Sequence, residues 1–214
     1  MPQTEIPNFS GESLHCIRGE RTVFAGLDFS ASSGSALILQ GPNGSGKSSL
    51  LRLMAGLLRP ASGSLFRDGL TIEDDPEYHR SSLHYVGHYD AIKPVLTVSE
   101  NLSFWAGVRG ETKSVGAALE RFGLSPLADM AARLLSAGQR RRLNLARIAA
   151  SPAPLWLLDE PTTALDSAST AVLVELIGDH RASGGIAVMS THTDLGIPET
   201  IDLALDQFSP ASQH

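Results

Sequence analysis

A glycine-rich segment beginning at residue 41 has the residue types and spacing needed to hold phosphate groups. It runs Gly41-Pro-Asn-Gly-Ser-Gly-Lys-Ser48 and matches the P-loop pattern G-x-x-x-x-G-K-[ST] in full. Glycines let the backbone curl so that its N–H groups point at phosphate oxygens, while the following helix presents its positive end. We expect Lys47 to reach the β- and γ-phosphates and Ser48 to ligate Mg²⁺. The expected binding residues are Gly41, Pro42, Asn43, Gly44, Ser45, Gly46, Lys47, Ser48 and Ser49.

Two acidic residues, Asp159 and Glu160, close a short apolar segment and precede a proline. A carboxylate at the end of a strand can hold the shell of a Mg²⁺ ion, which makes Asp159 a candidate metal ligand beside Ser48. Glu160 is then placed to orient or deprotonate an attacking water. The combination favours hydrolysis of a nucleoside triphosphate. Phosphate transfer to a small acceptor is the alternative, and an assay for released inorganic phosphate separates the two.

The candidate residues follow short apolar segments that are typical of buried strands. Ser35–Gln40 precedes the phosphate loop, and Leu155–Leu158 precedes the acidic pair. Further strands are predicted at Thr22–Phe29 and Ile186–Met189. A helix is predicted after the phosphate loop because its leucines recur at helical spacing, and residues 59–79 predict turns and an edge hairpin.

A mainly helical block is predicted from about Leu96 to Ala150. It opens with the capping box Thr97-x-x-Glu100. After the second apolar strand, an amphipathic helix is predicted at Ser167–His180 with Ser167 as its N-cap. Because strand and helix segments flank the block, the sequence predicts an α/β fold with a mostly parallel sheet and an inserted helical subdomain.

Length, charge and cysteine content limit the classes of function. The chain has 214 residues, 42% of them hydrophobic, which suits one folded domain and argues against intrinsic disorder. A net charge of −6 argues against a role dominated by contacts to nucleic-acid phosphates. The single cysteine, Cys16, excludes an internal disulfide and is expected to be a small buried apolar side chain. With neither a signal-like N-terminus nor a membrane-spanning apolar segment, we expect a soluble chain whose membrane partner, if any, is another polypeptide.

A further segment, Leu135-Ser-Ala-Gly-Gln139, resembles the signature of the ATP-binding subunits of ABC transporters. In that family this signature segment opens a helix that contacts the γ-phosphate of ATP held by the other subunit. The resemblance implies this role for Ser136, Gly138 and Gln139. A helix N-terminus that carries serine and glycine is also a physically reasonable anion site.

Two more segments match the family in the expected order. Ala164-Leu-Asp166 resembles the loop that crosses the dimer seam, and His192 in Ser190-Thr-His follows a short strand like the family's switch histidine. The resemblance implies that His192 contacts the γ-phosphate. With Lys47 and Glu160 it forms the expected catalytic set.

The resemblance implies a P-loop NTPase fold of the ABC nucleotide-binding type with an inserted helical subdomain. It gives one domain over residues 1–214, with a RecA-like core at about 1–87 and 151–214 and the helical subdomain at about 88–150. The implied cofactors are ATP and Mg²⁺. The implied partners are a second copy of the chain and separate integral-membrane subunits, which the segment Tyr89 to Leu96 is expected to receive.

The sequence departs from the usual family pattern at three positions. His88 stands where family members usually carry a glutamine that senses Mg²⁺ and the lytic water, and we hypothesise that it does the glutamine's work. Arg18 stands near the position of the adenine-stacking aromatic, and a guanidinium plane can also stack on a base. Ala137 replaces the commoner signature glycine.

Within the family, the chain most resembles the ATP-binding subunits of the haem exporters used in bacterial cytochrome c maturation. The segments that carry this likeness are Gly19-Glu-Arg-Thr-Val-Phe24, Val86-Gly-His88, Ile92-Lys93 and the signature segment. It implies a peripheral position at the cytoplasmic face of the bacterial inner membrane. The alternatives are another ABC transporter, or a soluble ABC ATPase acting on the ribosome or nucleic acid. Salt-sensitive nucleic-acid binding would favour the latter, although paired cassettes or long insertions are usual there.

Other polar residues are expected to have ordinary roles. His79, His84 and His88 are interpreted as scattered loop histidines with no common ligand. Arg140-Arg-Arg142 is interpreted as a solvated helix face.

Overall fold

Nine strands and six α-helices form the part of the chain that the computed structural model describes, residues 9–110 and 112–209. The strands are β1 (Phe9–Arg18), β2 (Arg21–Ala31), β3 (Ala36–Gln40), β4 (Ser62–Arg67), β5 (Leu70–Thr71), β6 (Leu83–Val86), β7 (Leu155–Asp159), β8 (Ile186–Ser190) and β9 (Thr200–Ala204). The helices are α1 (Lys47–Met54), α2 (Pro76–Ser81), α3 (Val98–Val108), α4 (Val115–Arg121), α5 (Ala137–Ala150) and α6 (Ser167–Ala182).

The larger sheet has five parallel strands in the order β6-β7-β8-β3-β9, which confirms the predicted parallel sheet. Every residue of β7 and β8 is buried, as expected for central strands covered on both faces. In register, Leu37 and Leu157 both lie opposite Val188. The strands β3, β7 and β8 therefore end at one edge, and the loops that follow them meet there.

A second sheet, antiparallel and ordered β2-β1-β4-β5, was not predicted as such. Its strand β1 lacks clean alternation because its register to both neighbours shifts, and Ser13 at φ +48° lies within an irregular stretch. The β1–β2 hairpin reaches the phosphate loop. An added Cβ on Gly46 would lie 2.5 Å from Val23 Cγ1 and 3.0 Å from Phe24 Cδ1.

One predicted helix start is confirmed and another is corrected. Thr97 and Glu100 form the expected reciprocal capping box of α3. The N-cap of α6 is Asp166, whose carboxylate accepts the N–H of Ser169 at 2.7 Å, so the prediction of Ser167 was wrong. The edge hairpin predicted within residues 59–79 is confirmed by β4 and β5, and helix α2, which Asp75 caps, begins near the end of that segment.

Side chains from the two faces of the parallel sheet form two apolar clusters. Leu155 and Leu157 pack with α1 and the antiparallel sheet, whereas Trp156 and Leu158 pack with α3, α4, α5 and α6. This alternation follows from the two-residue period of a strand. The helical block therefore shares its core with the sheet, and the boundaries near 88 and 150 stay a prediction. Cys16 is 1% exposed in the first cluster, as expected of a small apolar residue.

None of the helices within residues 9–110 and 112–209 has the length and apolar character needed to cross a membrane.

The interpretation of His79 and His84 as loop residues was wrong, because both are buried in regular elements. His79 Nε2 lies 2.8 Å from the Met54 carbonyl, and His84 Nε2 lies 2.9 Å from the Ser151 carbonyl. A carbonyl only accepts, so each of these nitrogens carries the proton. A third imidazole, His180, stacks on Trp156 with ring centroids 3.8 Å apart.

These buried histidines predict a loss of stability in mild acid. Burial lowers the pKa of His84 to about 3, and burial lowers the pKa of His180 to about 4, against roughly 6.5 in an unfolded chain. Between those values the unfolded chain binds more protons than the folded one, so the free energy of unfolding falls as pH falls from 6.5 towards 4. We expect the thermal midpoint to drop by at least about 4 °C between pH 7 and pH 5.

Differential scanning fluorimetry across this range tests the prediction. Glutamine at both positions keeps a donor near the position of Nε2 but does not titrate, so the double variant His84→Gln/His180→Gln should show a shallower slope than the parent protein. An equal slope in both proteins contradicts the assignment.

Candidate active site

The phosphate loop joins β3 to α1 through three glycines with left-handed backbone. Gly41 has φ +136°, Gly44 has φ +84°, and Gly46 has φ +104° and is the N-cap of α1. An added Cβ on Gly41 would lie 2.7 Å from Ser45 Oγ. The loop thus requires glycine both for its backbone angles and for its close contacts, and it leads directly into a helix N-terminus.

Lys47 lies inside this loop rather than extending into solvent. Its side chain is 8% exposed, and Nζ donates to the carbonyls of Gly41 at 2.6 Å and Pro42 at 3.2 Å. The hydroxyl of Ser45 is buried and has no hydrogen-bond partner among the described residues. Ser48 and Ser49 are half-buried in the first turn of α1. The loop therefore holds a cation and a free hydroxyl where phosphate oxygens would bind.

Asp159 ends β7 with its carboxylate 2% exposed. Its Oδ1 accepts a hydrogen bond from Ser190 Oγ at 2.7 Å, while Oδ2 is buried and has no partner among the described residues. A buried carboxylate oxygen without a donor fits a divalent cation. Within residues 9–110 and 112–209 there is no cluster of three or more candidate ligands of the His, Cys, Asp or Glu type. Mg²⁺ in nucleotide sites is usually held by one or two protein oxygens together with substrate phosphates.

Glu160 has a left-handed backbone at φ +46°, unusual for a residue with a side chain. Its N–H is 3.1 Å from both the carbonyl and the hydroxyl oxygen of Ser190. Its Oε1 lies 3.4 Å from His192 Nε2, and that nitrogen lies 3.1 Å from Asn43 Oδ1. Three loops thus bring Asn43, Glu160 and His192 together at the carboxyl edge of the sheet.

The signature segment forms the N-terminus of α5. Ser136 is the N-cap: its hydroxyl accepts the N–H of Gln139 at 3.2 Å, and the Gln139 side chain accepts the N–H of Ser136 at 2.8 Å. Ser136 and Ala137 are exposed, and Gly138 is half-buried. A Cβ on Gly138 would lie 3.0 Å from the Ala164 carbonyl, so the usual glycine allows close contact with the predicted seam loop.

Arg18 and His88 lie outside the cluster formed by Asn43, Glu160 and His192. Arg18 is exposed at the end of β1, on the hairpin whose Val23 and Phe24 lie beside Gly46 of the phosphate loop. His88 is exposed in the loop after β6, with its ring edge-on to Tyr89 at 5.6 Å. Their roles toward the nucleotide stay predictions.

Two residues that contact the acidic pair were missed. Ser190 is fully buried and holds both Asp159 and Glu160, but nothing in the sequence marks it beyond its place at the end of a strand. Arg141 is 5% exposed, so the interpretation of all three arginines as a solvated face was wrong. Its spacing to Leu145 and Ile148, which are also buried, places it on the packed face of α5 and could have revealed it.

The fold and this site define a P-loop nucleoside triphosphatase domain, with a phosphate loop at one edge of a parallel sheet and an acidic pair on a neighbouring strand. The sequence pattern of the ABC transporter family matches residues 24–163, and the chain belongs to this family. It is an ABC-type ATPase that binds ATP.

Within this family, the chain is highly similar in sequence to proteins of one kind. The chain is 56% identical over 210 residues to the cytochrome c biogenesis ATP-binding export protein CcmA of Paramagnetospirillum magneticum, covering 96% of this chain and 97% of the relative. It is 60% identical over 203 residues to the CcmA of Rhodospirillum rubrum, covering 94% of this chain and 87% of the relative.

Two solved structures share the fold. An ATP-binding subunit of an ABC transporter has a TM-score of 0.80 at 24% identity, covering 86% of this chain and 79% of that one. A putative ABC transporter ATP-binding protein from Pyrococcus furiosus has a TM-score of 0.81 at 22% identity, covering 94% of this chain and 99% of that one. Both confirm the ABC-type fold class.

Replacement of Ser190 by alanine is predicted to impair ATP hydrolysis more than it impairs the stability of the protein. Ser190→Ala removes the donor to Asp159 Oδ1 and one acceptor of the Glu160 N–H, so the free energy of unfolding should fall by about 1–3 kcal/mol. Displacement of the acidic pair should also lower kcat for ATP hydrolysis by about tenfold or more.

The matched control is Ser82→Ala, which removes another buried serine hydroxyl, bonded to the His79 carbonyl away from the site. Chemical denaturation and phosphate-release kinetics should show both variants destabilised and only Ser190→Ala slowed. Equal kcat values for the two variants would refute the role of Ser190.

Proposed function

We propose that two copies of this chain bind ATP and Mg²⁺ at sites shared between them, and that hydrolysis there drives export in cytochrome c biogenesis through separate membrane subunits. The strongest support is the position of the Glu160 carboxylate. It contacts His192, and His192 contacts Asn43 of the phosphate loop, so all three side chains converge at one end of the loop. A carboxylate at that end is suitably placed to activate water.

Within one copy, we assign each reacting group from its position. The loop amides and Lys47 bind the phosphates, and the ammonium exchanges its carbonyl partners for phosphate oxygens. Ser48 and Asp159 would hold Mg²⁺, which neutralises charge on the β- and γ-phosphates when it is bound. Glu160 takes the proton from the attacking water. His192, 54% exposed and 3.4 Å from Glu160, is placed to steady the transferred phosphoryl group.

The second copy completes the site in this proposal. The N-terminus of α5 is exposed at Ser136 and Ala137, so its free amides and positive dipole end are open to a neighbouring molecule. Ser136 and Gly138 would contact the γ-phosphate held by the partner copy, with Gln139 fixing the geometry of the cap. On the first copy, Arg18 would stack on the adenine next to the hairpin.

The membrane subunits are proposed to dock beside the segment after His88. In that segment Tyr89 is 83% exposed and Val95 is 75% exposed. A groove there is lined by Tyr85, Tyr89, Trp105 and Arg147, among others. We place the chain peripherally at the cytoplasmic face of the bacterial inner membrane, with haem handling as its transport task, because relatives at more than 50% identity are named cytochrome c biogenesis export proteins. Co-purification from membranes, followed by identification of the bound polypeptides, tests this part.

Glu160→Gln is predicted to trap an ATP-bound dimer. The amide keeps the size of the side chain but cannot accept the proton of water, so ATP should bind and persist. Size-exclusion chromatography with light scattering, in ATP and Mg²⁺, should show a dimer for Glu160→Gln. Lys47→Ala is the control, since it weakens phosphate binding and should stay monomeric. If Glu160→Gln binds ATP but stays monomeric, the proposal that two copies share each ATP site is contradicted.

His88 is predicted to carry the function of the family's usual glutamine. His88→Gln should hydrolyse ATP at a rate within about threefold of the parent, whereas His88→Ala, which lacks a hydrogen-bonding group, should be slower by about tenfold. Phosphate release at saturating ATP measures both rates. Because His88 is exposed, neither change should alter the thermal midpoint. Full activity in His88→Ala would disprove the hypothesis.

A further inference from the structure

We propose that Arg141 is a positioning residue for hydrolysis, fixing the backbone of Glu160 and tying it to the segment that carries His88. The proposal rests on the proposed function, because it takes Glu160 as the base that activates water. Arg141 lies in the second turn of α5, five residues after the N-cap Ser136.

The guanidinium of Arg141 binds four backbone carbonyls from two separate loops. Nη2 donates to the carbonyls of Asp159 at 3.0 Å and Glu160 at 2.7 Å, and Nε donates to that of Pro161 at 3.1 Å. Nη1 donates to the carbonyl of Gly87, the residue before His88, at 3.0 Å. One planar group thus joins α5, the acidic pair and the His88 segment.

The contacts of Arg141 explain how a charge is tolerated there. The side chain is 5% exposed, and its ion pair with Asp90 is long, with Nη1 3.9 Å from Oδ1. Burial lowers the pKa of the Arg141 guanidinium, and the negative charges of Asp90, Asp159 and Glu160 offset part of that effect. A buried cation persists only where its donors are satisfied, and the fork geometry of arginine achieves this with several carbonyls at once. Lysine, with a single ammonium, cannot reach all four.

The arrangement stabilises the strained backbone of Glu160. Its left-handed backbone, at φ +46°, is a conformation that residues with side chains adopt only when their surroundings enforce it. Ser190 holds its N–H, and Arg141 holds its carbonyl. The Glu160 residue is therefore fixed from β8 on one side and from α5 on the other. Release of either side lets the backbone relax and moves the carboxylate.

The same face of α5 continues to the groove proposed for the membrane subunits. Asn144 donates to Asp90 at 3.3 Å, and Arg147 donates to Asn144 at 2.9 Å. Arg147 lies 3.9 Å over the ring of Trp105, whose Nε1 donates to the Ala91 carbonyl at 2.9 Å. Arg141, Asn144 and Arg147 thus form a row of polar side chains along α5 that contacts the loop 87–91, and Arg141 is the member of this row that binds the Glu160 carbonyl. If this loop is displaced, the Arg141 side chain, which bonds the carbonyls of both Gly87 and Glu160, transmits the movement to Glu160.

Arg141→Lys and Arg141→Gln test the proposal in the full-length protein. Both should bind ATP with an affinity within about threefold of the parent, because Arg141 does not contact the phosphate loop. Both should lower kcat for phosphate release by about tenfold or more, with KM for ATP little changed. A merely structural role would lower the yield of folded protein without this separation of kcat from KM.

Arg181→Lys is the matched control. Arg181 also joins separate segments through carbonyls, those of Gly34, Pro198 and Glu199, at 2.8, 2.8 and 3.2 Å. It should lose thermal stability as Arg141→Lys does but keep the parent kcat. If the two lysine variants have equal kcat per folded molecule, the positioning role is overturned.

If neither Arg141 variant folds, a milder substitution at Asp90 still tests the proposal. Asp90→Asn removes the charge beside Nη1 and leaves the four carbonyl bonds in place. Because the Asp90 carboxylate also favours the charged guanidinium in its buried position, its loss should loosen the four carbonyl bonds without removing them. Asp90→Asn should therefore fold and lower kcat by about twofold to fivefold with unchanged ATP affinity. An unaltered kcat in Asp90→Asn would then reject the proposal. Phosphate release by the parent protein and the trapped Glu160→Gln dimer test the proposed function separately, so its failure is distinguishable from failure of the role of Arg141.

Discussion

The parallel register of β3, β7 and β8 is the constraint on which the site depends. These strands end at one edge of the sheet, so the phosphate loop, the acidic pair and the His192 loop meet although they lie far apart in the chain. Two of these loops need an unusual backbone to aim their groups. The phosphate loop obtains it from glycines with positive φ, whereas Glu160 has a side chain and needs external support.

The parts of the site that local sequence determines could be predicted. The phosphate loop, Asp159 and Glu160 each combine a residue pattern with an adjacent strand, and the capping residue Ser136 bonds within its own first turn. Their geometry depends on a few neighbouring residues. The parallel sheet was predictable for a similar reason, since strands buried on both faces read as continuous apolar segments.

The parts that were missed depend on contacts between distant segments. Arg141 meets Gly87 across 54 residues, and Ser190 meets Asp159 across 31. A run of three arginines looks solvated until the packing face of the helix is known. His84 is likewise buried in β6, where its ring donates a hydrogen bond to a carbonyl 67 positions away. Strand β1, which joins the predicted strand β2 to the predicted hairpin, escaped prediction because bulges break its alternation.

In the proposed mechanism, support of Glu160 from two sides links hydrolysis to two different parts of the fold. Ser190 belongs to the central sheet, which is packed on both faces and resists displacement. Arg141 belongs to α5, whose N-terminus carries the signature segment and whose last turns reach the groove beside Trp105. Any event that shifts α5 relative to the sheet therefore acts on the Glu160 carbonyl while its N–H stays fixed. The geometry makes α5, rather than the sheet, the element through which a partner at either end would alter the rate of hydrolysis.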